Sequence, residues 1–305
     1  MTTLVWNQVI NSIDDASFRA WGSDLSSRLA SIGLIKTSDT GQINWTTVTR
    51  PAAGNFAGYE IWRFADSTIF MRWEYGSGSG SNQSTPAIRI AVGQGSNGSG
   101  TLTGAVTSTV IASLSRALSN ATTPKTSYMC HTGGYFGFLG YSNYSAAPDK
   151  SNVFFSVCKT VDANGVFTNN GAIVYWNTQS GIAEYAPNQI LNLATNTAMQ
   201  LQDSPNVSPY RVGTYCMVPF NITSSLVGSD TQCFAHWMAT PRVYPVIGVC
   251  TVVTNEVSFG STFSTAIVGT TPRTYLGLDL SNAGAIINTF NNSGIFNYKL
   301  AMLWE

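Results

Sequence analysis

The chain has 305 residues, which is enough for one large domain or two smaller ones. Charged residues make up only 10% of the composition, and 15 basic residues balance 15 acidic ones, so the net charge is zero. The lack of Lys/Arg clusters disfavours nucleic acid as a partner, and the lack of a long apolar run predicts no membrane span.

The low charge predicts a surface that is partly covered by other copies of the chain. A monomer without net charge is poorly protected against self-association, so we expect a homo-oligomer. The alternative is that Ser, Thr and Asn simply replace Lys and Glu on an exposed surface. Residues 1–6 lack the positive region and apolar stretch of a signal peptide, which predicts a protein made in a cytoplasm.

An amphipathic helix is predicted in the N-terminal segment, residues 1–40. Its apolar side chains recur at intervals of three and four residues: Phe18, Trp21, Leu25, Leu29 and Ile32. Ser12 and Asp15 match a capping box, and Gly33 suits the position after the helix end. Gly22 costs a helix about 1 kcal/mol relative to Ala, so packing must hold it there. The apolar stripe makes this a candidate docking helix, which packs either on its own β domain or on another subunit.

From residue 42 onward the pattern is that of short β-strands. Apolar and polar side chains alternate over residues 69–75 and 87–92, as in half-buried strands. Further strands are predicted at 43–48, 59–64, 153–161, 166–167, 173–176, 181–185, 211–218, 232–238, 244–253, 263–268, 275–278 and 296–303. Asp162-Ala-Asn-Gly165 predicts a hairpin turn. Together these signals predict an antiparallel β-sandwich or jelly roll over residues 41–305. A break near residues 121–126 could divide it into two subdomains.

No motif in the sequence predicts a reaction. Residues 93–98 match the G-x-G-x-x-G pattern of dinucleotide-binding proteins, but residues 99–104 start no helix. His131 and His236 lie in strands where Cys130 and Cys233 point to the opposite face, so neither cysteine pairs directly with its histidine. Two separated histidines are weak material for a zinc site. We therefore predict a protein that is not an enzyme and that has no cofactor and no metal.

Several polar and thiol groups have structural interpretations that compete with functional ones. The five cysteines at 130, 158, 216, 233 and 250 have apolar neighbours, which predicts buried thiols, although a disulfide between two of them stays open. Glu60 and Glu74 stand on adjacent predicted strands beside Arg63 and Arg72. This arrangement predicts cross-strand charge pairs on a solvated or interfacial face, and the carboxylate pair of a polysaccharide depolymerase is the alternative.

The run of Gly and aromatic residues from 133 to 144 is the best candidate for a recognition surface. Its candidate residues are Tyr135, Phe136, Tyr141 and Tyr144. Exposed aromatic rings stack on sugars, which would suit a module that binds host glycans. The alternative is that these rings lie in the core or in a subunit interface.

Four strings in the first third of the chain resemble a family of uncharacterised structural proteins of tailed bacteriophages. They occupy residues 39–51, 58–64, 74–78 and 92–104, and the helix sequence Phe18-Arg-Ala-Trp-Gly22 resembles that family too. The resemblance implies a virion component that is assembled in the bacterial cytoplasm. It carries over no catalytic residues.

The implied function is a non-enzymatic structural role at the tail, baseplate, tail tip or neck of the particle. We expect a trimer whose N-terminal segment docks to other virion proteins. A capsid decoration protein or head fibre is one alternative, and a module that binds a host glycan or receptor is another.

Overall fold

Antiparallel β-sheets make up most of the fold, as the alternating sequence pattern predicts. The structure is a computed structural model that describes residues 2–10, 13–78, 86–107, 109–113, 124–140, 153–178, 189–194, 196–200, 215–221, 232–239, 243–253, 260–266, 271–278 and 298–304. Strands hold 52% of the residues, and a single helix is described near the N-terminus. This confirms the predicted mainly β class and is consistent with a β-sandwich.

One helix and twenty strands are described along the chain. In order they are β1 (Thr2–Val9), α1 (Asp15–Ser31), β2 (Ile35–Lys36), β3 (Phe56–Arg63), β4 (Phe70–Ser77), β5 (Pro86–Gly93), β6 (Gly95–Ser96), β7 (Leu102–Thr103), β8 (Val110–Ser113), β9 (Pro124–Thr132), β10 (Tyr135–Gly140), β11 (Val153–Val161), β12 (Phe167–Thr178), β13 (Gln189–Asn192), β14 (Thr197–Gln200), β15 (Tyr215–Asn221), β16 (Gln232–Ala239), β17 (Val243–Val253), β18 (Thr262–Thr265), β19 (Arg273–Leu278) and β20 (Tyr298–Leu303).

The described strands form three large sheets and a small one. A central seven-stranded sheet has the order β1-β9-β10-β11-β12-β13-β14, so a strand from the start of the chain lies at its edge. A five-stranded sheet has the order β2-β3-β4-β5-β8, and a six-stranded sheet has the order β15-β16-β17-β20-β19-β18. Strands β6 and β7 pair with each other.

Aromatic side chains join the five-stranded sheet to one face of the central sheet. Trp73 on β4 is fully buried, and its ring meets the rings of Phe136, Phe138 and Phe155 edge-on. The centroid distances are 6.0, 5.8 and 6.2 Å, which is the favoured spacing for edge-to-face aromatic pairs. The alternation predicted for residues 69–75 therefore has its cause in this sandwich core.

The opposite face of the central sheet is covered by β17 of the six-stranded sheet. Tyr135 and Cys158 are register partners on β10 and β11, and both lie against Gly248 on β17. A Cβ atom at Gly248 would stand 2.7 Å from the Cys158 Cβ and from the Tyr135 ring, so glycine permits this close approach. The central sheet is therefore buried on both faces here.

Helix α1 packs its predicted apolar stripe on the chain's own sheets. Phe18, Trp21, Leu25, Leu29 and Ile32 are all at most 2% exposed. Of the two alternatives for this stripe, the chain's own β domain is therefore the surface that it covers. The side chains of the candidate docking helix are not available to a partner on that face.

The capping box lies two residues further along the chain than predicted. Asp14, not Ser12, is the N-cap, and its carboxylate accepts a hydrogen bond from the Ser17 N–H at 2.7 Å. The Ser17 hydroxyl accepts in return from the Asp14 N–H at 3.2 Å. Gly33 follows the helix end with φ of +90°, as its predicted position requires.

Two predictions about strands were incomplete. Residues 43–48 do not form a strand, because Asn44 opens a turn in which its side chain accepts from the Thr46 N–H at 2.9 Å. Strand β1 was not predicted, although Leu4, Trp6 and Gln8 alternate with exposed residues and point toward the helix. The strands predicted at 59–64, 69–75, 87–92, 153–161 and beyond residue 215 are present, while 181–185 lies outside the described residues.

The hydrophobic core runs across both predicted boundaries. One buried cluster contains Trp6 and Leu29 from the N-terminal segment, Trp73 from the middle of the chain, and Val157 and Leu191 from beyond residue 126. Among the described residues, none of the helical structure is long and apolar enough to cross a membrane.

Candidate functional site

A buried carboxylate lies in the string at residues 58–64. Glu60 on β3 is fully buried, and five side-chain donors surround it. Its Oε1 accepts from Ser26 Oγ at 2.9 Å, Lys36 Nζ at 2.6 Å and Trp45 Nε1 at 3.1 Å, and its Oε2 accepts from Trp62 Nε1 at 3.2 Å and Tyr75 OH at 2.6 Å. We call these six residues the Glu60 cluster.

The Glu60 cluster holds several segments of the chain together through one buried carboxylate. Burying a carboxylate is costly unless it is paired and hydrogen-bonded, and both oxygens of Glu60 are fully engaged. The donors come from α1, β2, the 44–48 turn, β3 and β4, so one carboxylate ties five segments together. Burial, followed by the charge of Glu60, raises the pKa of Tyr75 well above its ordinary value, so this phenol stays a donor.

A glycine in the helix makes room for one member of the cluster. The Trp45 ring lies where a side chain at Gly22 would project, and a Cβ there would stand 1.9 Å from the ring. The same indole meets the Tyr75 ring edge-on with centroids 4.8 Å apart. Gly22 is therefore held by packing, as its place in the predicted helix requires.

A second joint links the string at 39–51 to the string at 92–104. Asp39 accepts a short hydrogen bond from the Ser96 hydroxyl and another from the Gly100 N–H at 3.0 Å. The Thr40 N–H donates to the Gly98 carbonyl at 2.9 Å. We call these five residues the Asp39 junction.

The electrostatics of the Asp39 junction keep its carboxylate ionised. Burial acts to raise the pKa of Asp39, but the hydrogen bonds from Ser96 and the Gly100 N–H help to outweigh it, and the pKa is lowered. Gly100 has φ of +92°, and a Cβ there would stand 2.2 Å from the Tyr59 hydroxyl. Gly100 therefore has a left-handed backbone conformation, close to the Tyr59 side chain, that favours glycine.

The loop at residues 93–98 lacks the helix that a dinucleotide fingerprint requires. The G-x-G-x-x-G match at 93–98 spans β6 and the turn after it, and the next element is strand β7. No helix N-terminus is present in this described segment to meet a phosphate, in agreement with the sequence-based expectation.

Glu60 and Glu74 both form the predicted cross-strand charge pairs, Glu60 with Lys36 on β2 at 2.6 Å, but both carboxylates are buried and neither lies on a solvated face. Glu74 pairs with Arg72 at 3.0 Å and, at closer range, with Arg89 on β5. Arg89 stands opposite Glu74 in the register and was not predicted as its partner. Glu60 stands two residues from the buried Trp62 on β3, so both side chains point to the same face of the strand. The Glu60 carboxylate therefore faces the core and not the solvent.

The rings proposed as a recognition surface are not exposed where they are described. Tyr135 and Phe136 are both fully buried, the first against β17 and the second against Trp73. Neither ring is therefore available to a sugar, and the alternative of a core position holds for both. Tyr141 and Tyr144 lie outside the described residues.

The histidine and cysteines whose side chains are described are buried structural groups. His131 Nδ1 lies 3.0 Å from the Ile32 carbonyl at the end of α1, and its ring meets Phe64 edge-on. Burial lowers the pKa of His131, although the bond to Ile32 acts in the other direction. Burial likewise raises the pKa of Cys158 to about 12, which leaves its thiol protonated. Cys130 is also buried.

Metal ligands do not gather anywhere in the described part of the chain: no group of three or more His, Cys, Asp or Glu side chains could hold an ion there. For His236 and the cysteines at 216, 233 and 250, only the backbone strands are described.

Sequence reasoning missed Lys36, Ser26 and Trp45 as members of the Glu60 cluster. Each lies at least 15 residues from Glu60, so spacing gave no signal. The burial of β10 did leave a signal, since its six residues run without a polar side chain, which is typical of a strand covered on both faces.

Comparisons with known proteins gave no match. No protein-family model, no curated protein and no solved structure matches this chain.

Proposed function

We propose that the protein is a non-enzymatic structural component of a tailed bacteriophage virion, assembled in the host cytoplasm as a homo-oligomer of three copies. The virion assignment rests on the resemblance in residues 18–104. The Glu60 cluster and the Asp39 junction support it, because they join the resembling strings into one rigid unit. We place the protein at the tail, baseplate, tail tip or neck, in contact with other virion proteins.

The observation that carries the oligomer is the exposed side of strand β1. This strand is at the edge of the central sheet, and no described strand pairs with its outer edge. On its outward face Val5 and Val9 are 52% and 41% exposed. Proteins usually protect such edges with Lys, Pro or a bulge, and β1 has no charged residue and no proline.

Charge favours another copy of this chain as the occupant of that edge. The first charged residue is Asp14, so two copies can approach along β1 without like-charge repulsion. A contact of β1 with a different edge of the neighbour closes into a ring when the rotation suits three copies.

The oligomer is tested by measuring the mass of the full chain in solution by light scattering. We expect three copies, and we expect the double variant Val5→Lys with Val9→Lys to give monomers, because it places charge on the contact. Val166→Lys is the matched control, since Val166 is 59% exposed and lies far away at the 162–165 turn. A wild-type monomer, or an oligomer that survives both lysines, would contradict the proposed contact.

The virion assignment is tested on purified phage particles. Mass spectrometry should find the protein in particles at a few to some tens of copies. Hundreds of copies would indicate a capsid decoration protein or head fibre, and absence from the particle would refute the assignment.

A further inference from the structure

Strand β11 holds a lysine whose amine is enclosed by an acid and an amide. Lys159 is 2% exposed, which is rare for lysine. Its Nζ makes a close contact with the Asp66 carboxylate and donates to the Asn169 Oδ1 at 2.9 Å. The Phe64 ring centroid is 6.0 Å from Nζ, so the amine has an apolar neighbour on one side.

An irregularity in the β11–β12 hairpin accompanies this arrangement. Lys159 pairs with Ala172, but Val161 pairs with Phe167, so β12 has extra residues between those two pairs. Asn169 lies in this bulge, and its side chain meets the lysine amine of the neighbouring strand. Bulges of this kind re-aim side chains and are frequent beside functional groups.

From this geometry we propose that Lys159 and Asn169 join in an intramolecular amide bond, with Asp66 as the group that transfers the proton. Lysine amines are established nucleophiles toward carbonyl carbons when a neighbouring group activates them. Near-attack geometry needs about 3–3.5 Å between the reacting atoms. The Asn169 Cγ is one bond away from the oxygen that Lys159 already contacts, so a small side-chain rotation presents it.

The reaction balances without a cofactor or an oxidant. Asp66 takes a proton from the Lys159 ammonium, and the neutral Nζ attacks Asn169 Cγ. The Nζ–Cγ bond forms, Asp66 returns its proton to Nδ2, and the second proton that Nζ sheds also passes through Asp66 to the leaving nitrogen as the Cγ–Nδ2 bond breaks. The nitrogen departs into solvent as ammonium, because Asn169 is exposed.

The acid is held in position for this role. Thr68 donates to Asp66 Oδ1 from its hydroxyl at 2.8 Å and from its N–H at 3.2 Å, which leaves Oδ2 for the lysine. Burial acts to raise the pKa of Asp66, but the hydrogen bonds from Lys159 and Thr68 outweigh it and lower the pKa. The carboxylate is therefore ionised at neutral pH, and its Oδ2 contacts the amine whose proton it takes.

The test is the mass of the intact full-length protein, followed by peptide mapping. Loss of ammonia makes the wild-type chain about 17 Da lighter than its sequence. The tryptic peptide of residues 151–211 should stay uncleaved at Lys159 and carry the mass deficit as an internal Lys159–Asn169 loop, since an acylated lysine is not cleaved. Lys159→Arg and Asn169→Ala should restore the full sequence mass, and Asp66→Asn should slow or abolish the loss.

Asn164→Ala is the matched control, because Asn164 is an exposed asparagine of the same hairpin and should leave the mass deficit unchanged. A wild-type chain with its full mass and a cleavable Lys159 overturns the proposal, whether or not the variants fold. A deficit of about 18 Da with a branch at Asp66 would also overturn it, because water and not ammonia would then have left.

Discussion

At the scale of single residues, the molecule depends on polar groups that are buried and fully paired. Glu60 accepts from five donors, whereas the sequence predicted only a charge pair with a residue on an adjacent strand. Its partners come from distant positions, so periodicity located the residue on a strand but could not place Lys36 or Trp45 beside it. The strand alternation could have predicted that Glu60 points inward, because Trp62, two residues away, lies on the same face.

Gly22 offers the sharpest test at this scale. In an ordinary helix, Gly→Ala stabilises by about 1 kcal/mol. Here we expect Gly22→Ala to lower the free energy of unfolding by about 1–3 kcal/mol, because the new Cβ overlaps the Trp45 ring. Urea denaturation followed by circular dichroism measures the change.

Gly133→Ala is the control for that measurement. Nothing lies within 4 Å of the position that its Cβ would take, so we expect a change within about 0.5 kcal/mol. A stabilising Gly22→Ala would show that the indole moves aside, and the packing argument would then be wrong.

At the scale of elements, the sequence predicted those whose one face is buried. Strands β4 and β5 show a period of two because one side meets the core, and the 162–165 turn is confirmed by a Gly165 φ of +80°. A strand was wrongly predicted at residues 43–48, because Thr and Val favour strands while Asn44 favours the turn that is present. The aromatic residues of β10 were wrongly predicted to be exposed, because the sequence does not show that β10 is covered on both faces. One of those covers is the six-stranded sheet, whose strands come much later in the chain.

The junction between α1 and β9 gives a pH-dependent prediction. The carbonyl of Ile32 only accepts, so the neutral His131 carries its proton on Nδ1, and its Nε2 has no hydrogen-bond partner among the described residues. The unfolded chain binds a proton near the usual pKa of about 6.5, while the folded chain resists it. We therefore expect stability to fall as the pH drops from 7.5 through 6.5 toward 5.

His131→Gln is the variant that isolates this effect, because an amide N–H can still donate to Ile32. Urea unfolding at a series of pH values should give a flatter dependence for the variant between pH 7.5 and 5, whatever its absolute stability. The second histidine, His236, is common to both proteins and cancels in the comparison. Equal slopes would show that His131 does not resist protonation.

At the scale of the whole molecule, the central sheet acts as the layer on which the other two sheets pack. Gly248 allows a close approach of β17 to β10 and β11, since a Cβ there would stand 2.7 Å from the Tyr135 ring and the Cys158 Cβ. Cys158 lies under that point with its thiol pKa raised to about 12, so it reports whether the layers are closed. In the closed state Cys158 is buried and carries little thiolate, which is the form that reacts. A thiol reagent therefore reacts with it only when the six-stranded sheet moves away.

We expect Gly248→Ala to push the two sheets apart, because its Cβ would stand 2.7 Å from the Cys158 Cβ and the Tyr135 ring. Alkylation of Cys158 at pH 8, followed by peptide mass spectrometry, should be slow in the wild type and faster in the variant. The free energy of unfolding should fall by about 1–3 kcal/mol at the same time. Gly133→Ala should leave the Cys158 rate unchanged, and an equally slow rate in Gly248→Ala would mean that the contact between the layers tolerates the extra methyl group.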